Sequence, residues 1–370
     1  MAAAAGNPAV PYMPQLDGIR AFAVGAVILE HWASGYPRPL RQLVGAFDLG
    51  GLGVECFFVL SGFLITLILL QLKAGALPFG TALGHFYMRR VLRIFPAYYL
   101  ALLVGLLLFA EMCGVAGWHA LYLSNLYPVR HDAWPPIGGH FWSLSVEEQF
   151  YVFWPLLVLV STPAVIRRLA IAGMVLAPLS RLLIWHVEGG PHIAIWTLPT
   201  SALDLLCFGA FLACTRRRAG LLPAGVVALL AYLALWFLSR DTLAFAVLGR
   251  TLTAVFFGAL VAAAADGLRG PAGALLAWKP IVWLGMISYG LYIWHPFVPK
   301  AYVLAVGTLG LDAQIFGLQY IRLPLLAALL LLVTSGSYYL LERPIRSLRA
   351  RFGDASASRA CRTSRASAGA

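Results

Sequence analysis

Residues 50–66 read Gly-Gly-Leu-Gly-Val-Glu-Cys-Phe-Phe-Val-Leu-Ser-Gly-Phe-Leu-Ile-Thr, and the apolar run continues as far as Leu72. About 20 apolar residues suffice for a helix to cross the hydrocarbon core of a bilayer. The stretch therefore predicts a membrane-spanning helix near residues 50–71. Its glycines favour close packing against neighbouring helices, whereas Glu55, a carboxylate at membrane depth, indicates a buried partner or a functional site.

The rest of the chain shares this apolar character. Of its 370 residues, 61% are hydrophobic and 11% are charged, whereas soluble domains are about 45–50% apolar and about 25% charged. This composition excludes an ordinary soluble protein. The pattern predicts an all-α fold, a polytopic integral membrane helix bundle of about ten transmembrane helices. The predicted spans lie near residues 17–36, 50–71, 95–113, 146–163, 168–187, 198–214, 221–238, 244–265, 281–304 and 320–341.

Basic residues fall in every second loop between these spans. Because Lys and Arg mark cytoplasmic loops, both termini are predicted to be cytoplasmic, and residues 114–145 form the longest outer connection. The net charge of +12 is spread over short clusters, which indicates membrane topology rather than nucleic-acid binding. The clusters are Lys73/Arg89/Arg90/Arg93, Arg167/Arg168, Arg216/Arg217/Arg218, Arg269/Lys279 and Arg343/Arg346/Arg349/Arg351.

The domain prediction is a single transmembrane domain over residues 1–351, followed by a tail. Residues 352–370 are mostly Ala, Ser and Arg, which predicts a disordered cytoplasmic tail. The N-terminal residues up to Gln15 contain no Lys or Arg, so the first apolar run is predicted to be a retained helix rather than a signal peptide. The cysteines show no CxxC spacing and indicate neither a disulfide framework nor a metal site.

The first predicted span carries Asp17, Arg20 and His31 on one helix face. Eleven residues separate Arg20 from His31, which corresponds to three turns plus roughly 20° and about 16 Å along the axis. The arginine is thus predicted near the cytoplasmic surface and the histidine in the outer half of the membrane. The alternative is a snorkelling arginine paired with Asp17 and a histidine satisfied inside the bundle.

A second set of charges lies on the cytoplasmic side. Arg89, Arg90 and Arg93 occupy helix positions i, i+1 and i+4, and arginine forks suit phosphate groups. A topology signal explains the same cluster without a ligand. Glu342 and Arg343, at the end of the tenth predicted span, are candidates for a phosphate site or a structural ion pair.

Two further segments carry polar and aromatic groups. Residues 140–155 open the fourth span with Ser143 or Ser145 as a cap, and the same segment contains Trp142, Glu147 and Tyr151, which suit a hydroxyl-rich ligand. A capped helix start is the alternative. Residues 287–296 place His295 in the outer half of the ninth span, where it could converge with His31; an interfacial aromatic belt is the alternative.

The charges therefore form a two-sided pattern. Arginines collect on the inner side, whereas His31, Glu55, Glu147, Asp204 and His295 collect in the outer half. Such a site suits a phosphate-bearing donor held from the cytoplasm and a histidine that removes a proton from an acceptor hydroxyl. The chemistry predicted is acyl or group transfer.

These residues resemble the motifs of the family-3 membrane acyltransferases, which O-acylate bacterial surface sugars and some antibiotics. The similar segments occur in the family's order between residues 16 and 346. They are Leu16-Asp-Gly-Ile-Arg20 followed by His31, residues 53–66, Arg89-Arg-Val-Leu-Arg-Ile-Phe-Pro96, Trp142-Ser-Leu-Ser-Val-Glu147, Ile287-Ser-Tyr-Gly-Leu-Tyr-Ile-Trp-His295 and Glu342-Arg-Pro344.

The resemblance implies a multi-pass enzyme of the bacterial inner membrane. It would move an acyl group, usually acetyl, from cytoplasmic acyl-coenzyme A to an extracytoplasmic hydroxyl, with acyl-coenzyme A as co-substrate and with neither a bound cofactor nor a metal. His31 matches the essential histidine, and Asp17 and Arg20 complete the implied catalytic set. Donor binding is implied for Arg20, Arg89, Arg90, Arg93, Glu342 and Arg343, and acceptor binding for Glu55, Trp142, Ser145, Glu147, Tyr151, Tyr289 and His295.

The motifs leave several alternatives open. The acceptor could be a sugar, a glycolipid, a polysaccharide such as lipopolysaccharide or a small antibiotic of the macrolide type, and the donor could carry succinyl or a longer chain. A transporter or flippase is the alternative from another class, although no inverted repeat is visible. Two departures from the family pattern, Glu55 in place of Asp and Glu30 in place of an aromatic residue, bear on the acceptor. Membrane lipid is the remaining expected partner, and the oligomeric state stays open.

Overall fold

The computed structural model describes residues 12–215, 220–312, 315 and 317–348. These residues are helical, with no strand among them. The predicted tail, residues 352–370, lies outside the described residues. The helices are α1 Pro14–His31, α2 Arg38–Gly45, α3 Leu49–Ala74, α4 Phe79–Leu108, α5 Ala116–Ala120, α6 Tyr127–His131, α7 Phe141–Val160, α8 Pro163–Val187, α9 Ala194–Thr197, α10 Leu203–Ala213, α11 Leu221–Ser239, α12 Leu243–Ala265, α13 Gly270–Leu276, α14 Lys279–Met286, α15 Ser288–Trp294, α16 Phe297–Thr308, α17 Gln319–Gly336 and α18 Arg343–Ser347, with a π-helical turn Ser337–Glu342 between the last two.

The described part of the chain contains 7 helices long and apolar enough to cross a membrane. This confirms a multi-pass helical membrane protein, whereas the predicted count of about ten spans is not confirmed. The qualifying helices are Leu49–Ala74, Phe79–Leu108, Phe141–Val160, Pro163–Val187, Leu221–Ser239, Leu243–Ala265 and Gln319–Ser347.

The three remaining predicted spans differ from long apolar helices for different reasons. The span predicted near 17–36 is α1, which has 18 residues and carries charged side chains. The span predicted near 198–214 is a short apolar helix, Pro199–Ala213. The span predicted near 281–304 is divided into α14, α15 and α16, with interruptions at Ile287 and at His295–Pro296. Each of these irregular segments carries a candidate site residue.

The bundle core is organised around α3, which packs against α1 on one side and α10 on another. A Cβ atom at Gly53 would lie 2.5 Å from the carbonyl oxygen of Ala23 in α1, so only glycine permits this approach. At Gly62 and Gly209 the backbones of α3 and α10 meet in the same way. The glycines predicted for close packing therefore hold the helices that carry the site.

The long connection between α4 and α7 packs on one end of the bundle, as expected for the segment predicted at 114–145. The hydroxyl of Tyr98 donates to the carbonyl of His119 at 2.8 Å, and the amide of Gln149 donates to the carbonyl of Tyr122 at 2.9 Å. His119 is fully buried beneath this segment. These bonds hold residues 134–139 over the cavity described below.

Candidate active site

Two cavities open inside the bundle, and Val54 and Tyr292 line both. The histidine cavity has a volume of about 480 Å³, and its wall includes His31. The arginine cavity is smaller, about 90 Å³, and its wall includes Arg20. Because His31 ends α1 and Arg20 lies near its start, the two cavities occupy opposite ends of this helix, as the axial spacing predicted.

His31 and His295 form a direct pair although they lie 264 residues apart in the chain. The Nδ1 atom of His31 is 2.6 Å from the Nε2 atom of His295, and the rings stack with centroids 4.9 Å apart. His31 is exposed to the cavity, whereas His295 is completely buried. The indole of Trp32 donates to the carbonyl of His295 at 2.9 Å, which fixes the pair from behind.

The hydrogen-bond partners assign the tautomers of this pair. Nδ1 of His295 lies 2.7 Å from the carbonyl oxygen of Tyr292, which can only accept, so this nitrogen carries the proton. Nε2 of His295 then accepts a hydrogen bond from Nδ1–H of His31. The Nε2 atom of His31 is left with its lone pair and is available as a base.

Pro296 explains why the Tyr292 carbonyl is free for this role. In a continuous helix, the backbone N–H of residue 296 would donate to the carbonyl of residue 292, four positions earlier. Proline has no N–H, and α15 ends at Trp294. The break in this predicted span therefore supplies the acceptor that orients His295.

The opposite wall of the histidine cavity carries a buried ion pair. Arg250 of α12 donates from Nε to Oε1 of Glu55 at 3.2 Å, and Thr253 donates to Oε2 at 2.5 Å. Arg250 also donates from Nη1 to the carbonyl of Trp196 at 3.1 Å. Glu55 thus lines the predicted cavity, but as the partner of an arginine that the sequence analysis missed.

A second missed arginine extends this network. Arg181 is fully buried and pairs with Asp204 at 2.7 Å, and Thr251 donates to the same carboxylate at 2.7 Å. Asp204 therefore serves the packing of α8, α10 and α12 and does not line either cavity. The available signal was an arginine well inside each of two long apolar helices, Arg181 in α8 and Arg250 in α12, since such a charge requires a partner.

Polar and aromatic groups complete the histidine cavity. Glu30 accepts from the backbone N–H of Gly50 at 2.7 Å, and Asp48 caps α3 by accepting from Gly51 at 3.0 Å. Three tryptophans also line the cavity. The sequence analysis selected only one of them, Trp142, as a ligand contact. The three are Trp134, Trp142 and Trp196. Carboxylates with flat aromatic faces suit a hydroxyl-rich ligand.

His140 is a further lining residue that the sequence analysis did not select. It is buried, its Nε2 atom has no hydrogen-bond partner, and its ring centroid is 5.2 Å from that of His295. Burial, together with the neighbouring histidines, holds the pKa of His140 well below its usual value, so the ring is neutral. His140 is the first residue of the segment 140–155, whose polar and aromatic groups the sequence analysis selected, and this position was the signal that could have identified it.

The arginine cavity gathers three basic groups and two carboxylates, Glu147 and Glu148. Arg20, Arg90 and Arg93 line it, and Arg20 pairs with Asp17 at 2.8 Å. The Nε atom of Arg90 is buried without a hydrogen-bond partner. Glu147 accepts from the hydroxyl of Ser61 at 2.5 Å on the facing wall. An anionic ligand would satisfy the unpaired arginine donor.

Several predicted acceptor residues lie at the arginine cavity instead of the histidine cavity. Tyr151 and Glu147 lie on α7. The first turn of this helix lines the histidine cavity, and its next turns line the arginine cavity. Tyr289 also lines the arginine cavity and donates to the carbonyl of Ile94 at 2.8 Å. Helical rise accounts for the difference, because Glu147 lies about one and a half turns beyond Trp142.

Six predicted residues line neither cavity. Two of them, Asp17 and His295, contact the lining residues Arg20 and His31 as described above. Ser145 donates to the carbonyl of Phe141 at 3.0 Å within its own helix. Arg89 faces away from the arginine cavity, since it is Arg90 and Arg93, at i and i+3, that share the lining face. Glu342 is buried and accepts from Ser337 at 3.4 Å, while Arg343 is exposed and lies 6.0 Å from the ring centroid of Tyr339.

Known proteins show the same domain. The acyltransferase-domain family profile matches residues 13–342. The chain is 30% identical over 322 residues to the peptidoglycan O-acetyltransferase OatA of Listeria monocytogenes serovar 1/2a, covering 77% of this chain and 49% of that protein. It is 30% identical over 381 residues to the putative peptidoglycan O-acetyltransferase YrhL of Bacillus subtilis (strain 168), covering 91% and 55%.

The O-acetyltransferase OatA of Staphylococcus aureus is 27% identical over 371 residues, covering 90% of this chain and 57% of the relative. The chain spans about half the length of the curated relatives it matches. No solved structure matches it. Since the profile covers nearly the whole described chain and both cavities, the protein belongs to the family 3 acyltransferases.

Proposed function

We propose that the protein is a membrane O-acetyltransferase that moves an acetyl group from acyl-coenzyme A to a hydroxyl of a carbohydrate on the other side of the membrane. The observation that carries this proposal is the chain of hydrogen bonds from Tyr292 through His295 to His31. It leaves the Nε2 lone pair of His31 on a ring that is exposed to the larger cavity.

His31 acts as the general base in this proposal. Its Nε2 accepts the proton of the acceptor hydroxyl while the hydroxyl oxygen attacks the thioester carbonyl carbon. A carbon–oxygen bond forms, the carbon–sulfur bond breaks, and the coenzyme A thiolate leaves with the proton that His31 returns. His295 holds the required tautomer and does not need to touch the substrate.

The arginine cavity supports binding of the donor. Arg20, Arg90 and Arg93 converge on a small cavity, and the phosphates of coenzyme A are the anions that guanidinium groups recognise. The buried Nε atom of Arg90 is a donor without an acceptor in this structure. We place this cavity on the cytoplasmic side because Lys and Arg clusters mark cytoplasmic loops.

The histidine cavity supports a carbohydrate acceptor. Tryptophan faces stack on sugar rings, and the carboxylates of Glu30 and Asp48 accept hydrogen bonds from sugar hydroxyls. Two of the relatives are named as peptidoglycan O-acetyltransferases, one of them putatively. We therefore propose a peptidoglycan-type glycan as the acceptor and the bacterial cytoplasmic membrane as the location.

The test is acetyl transfer by the purified protein in detergent. Acetyl-coenzyme A and soluble glycan fragments would be supplied, and released thiol and acetylated product measured for the wild type, His31→Ala and His186→Ala. His186 is an exposed histidine near the end of α8 that lines neither cavity and serves as the matched control.

We expect His31→Ala to lose at least about 100-fold in rate, because general-base catalysis contributes roughly 10²–10⁴-fold. His186→Ala should keep the wild-type rate. A folded His31→Ala variant that transfers acetyl at the wild-type rate would contradict the assignment of the base. A wild-type protein that neither binds nor consumes acyl-coenzyme A would contradict the proposed function itself.

A further inference from the structure

The two cavities meet at a narrow partition made by Val54 of α3 and Tyr292 of α15. These are the two residues that line both cavities, and each is buried. Phe57, one turn after Val54, lines the arginine cavity and packs against Tyr292 with ring centroids 6.1 Å apart. A group that moves from Arg20 to His31 inside the bundle has to pass this partition.

Both sides of the partition are held in place. The Tyr292 hydroxyl donates to the carbonyl of His140 at 2.9 Å and lies 2.6 Å from the hydroxyl of Ser143. Val54 follows Gly53, the residue at which α3 touches the backbone of α1. Since neither side chain lies on a loop or at the surface, the width of the passage is set by side-chain size.

We propose that the acyl group of the donor reaches His31 between Val54 and Tyr292, and that the side chain at position 54 limits the width of the acyl group transferred. This inference rests on the proposed function. The β-alanyl-cysteamine end of coenzyme A, next to the thioester, is unbranched like a straight acyl chain, so both fit one narrow passage. A chain branched next to the carbonyl is wider, and the partition excludes it.

The substitution Val54→Ala matches this difference in size. It removes two methyl groups from the wall, and isobutyryl has two more carbons than acetyl, both of them attached as a branch. The experiment measures transfer from acetyl-coenzyme A and from isobutyryl-coenzyme A by the full-length protein. The matched control is Val59→Ala, because Val59 is a fully buried valine of the same helix that lines neither cavity.

We expect Val54→Ala to raise the ratio of isobutyryl to acetyl transfer about tenfold or more, since one or two methyl groups in a pocket change rates by roughly 10–200-fold. Val59→Ala should leave the ratio unchanged. Val54→Phe should lose acetyl transfer while still binding coenzyme A, measured by calorimetry, because the arginines remain accessible.

The outcomes separate this inference from the proposed function. If the wild type transfers acetyl but Val54→Ala keeps the wild-type ratio, the partition is not the passage. An equal rise in Val54→Ala and Val59→Ala would also overturn it, because a loosened core and not the wall would then be responsible. If the wild type transfers no acyl group from either donor, the proposed function fails, and this inference fails with it.

Discussion

The proposed chemistry of the site depends on one proline and two histidines. Pro296 lacks the N–H that would occupy the Tyr292 carbonyl, so His295 donates to that carbonyl and accepts from His31. The convergence of His31 and His295 was an open expectation from the sequence, because both were placed in the outer half of the membrane. The role of Pro296 could not be predicted: helix geometry identifies Tyr292 as the residue whose carbonyl it leaves unpaired, but the sequence does not show that His295 donates to that carbonyl and accepts from His31.

At the residue scale, we predict that His295→Ala lowers kcat and leaves the KM for the donor unchanged. Without its acceptor, His31 loses the fixed tautomer, which costs about 100-fold within the usual range of general-base effects. In the proposed function the donor binds at the arginine cavity, so its KM is not expected to change. His295→Gln should recover part of kcat, because its amide oxygen can accept from His31. A loss of folding, or equal rates for Ala and Gln variants, would indicate a structural role only.

At the element scale, the sequence predicted long apolar helices well and irregular ones poorly. Each of the seven qualifying helices overlaps a predicted span because an apolar run of sufficient length indicates a crossing, although α4 begins at Phe79, well before the span predicted near 95–113. The interruption in α14 to α16 and the short α10 were missed, since these segments are as apolar as a true span. Arg250 was missed because its partner Glu55 lies 195 residues away in the chain, and the sequence does not identify which residue pairs with this arginine.

The pairing of α3 with α12 leads to a prediction about stability. Arg250→Met should destabilise the protein by about 3–5 kcal/mol, because it leaves Glu55 as an unpaired charge in the core. The double variant Glu55→Gln/Arg250→Met should recover most of this loss, as the remaining amide is neutral. Thermal unfolding in detergent gives both values. Additive effects of the two single substitutions would show that the pair is not coupled.

The connection between α4 and α7 predicts a dependence on pH. Burial lowers the pKa of His119 to about 4, and the ring contacts Ser124 at 2.7 Å and Ile137 at 3.1 Å. In the unfolded chain the pKa is about 6.5. Between these values the unfolded state binds more protons, so stability falls as pH decreases from about 6.5 to about 4, by up to about 3 kcal/mol.

Hydrogen exchange of residues 110–140 between pH 7 and pH 5 measures this effect. His119→Gln is the matched variant, because an amide can donate to Ile137 and accept from Ser124 without titrating. We expect protection of the segment to fall with pH in the wild type and to stay flat in the variant. The same slope in both proteins would assign the pH dependence to another group.

At the scale of the whole molecule, the irregular segments carry the histidines of the proposed active site, and the regular helices enclose them. His31 ends the charged helix α1, and His295 lies at a break between α15 and α16. Polar side chains at such positions are costly in lipid, and the long apolar helices shield them. A bundle of uniform spans would have no free carbonyl for His295 and no charged helix to join the two cavities.

Whether α1, α10 and α14 to α16 cross the membrane decides the sidedness of the enzyme. If only the seven long helices cross, the two ends of the chain lie on opposite faces; if all ten predicted segments cross, the ends share the cytoplasmic face. Cysteine labelling in intact cells separates the two cases.

The variants carry one cysteine each, Cys113, Cys361 or Ala2→Cys, with the other cysteines replaced by Ala. We expect an impermeant maleimide to reach exposed Cys113 directly, and to reach the other two only after permeabilisation. Labelling of Ala2→Cys in intact cells, with Cys361 protected, would show that the irregular segments do not complete three crossings, and the arginine cavity would then need another route to a cytoplasmic donor.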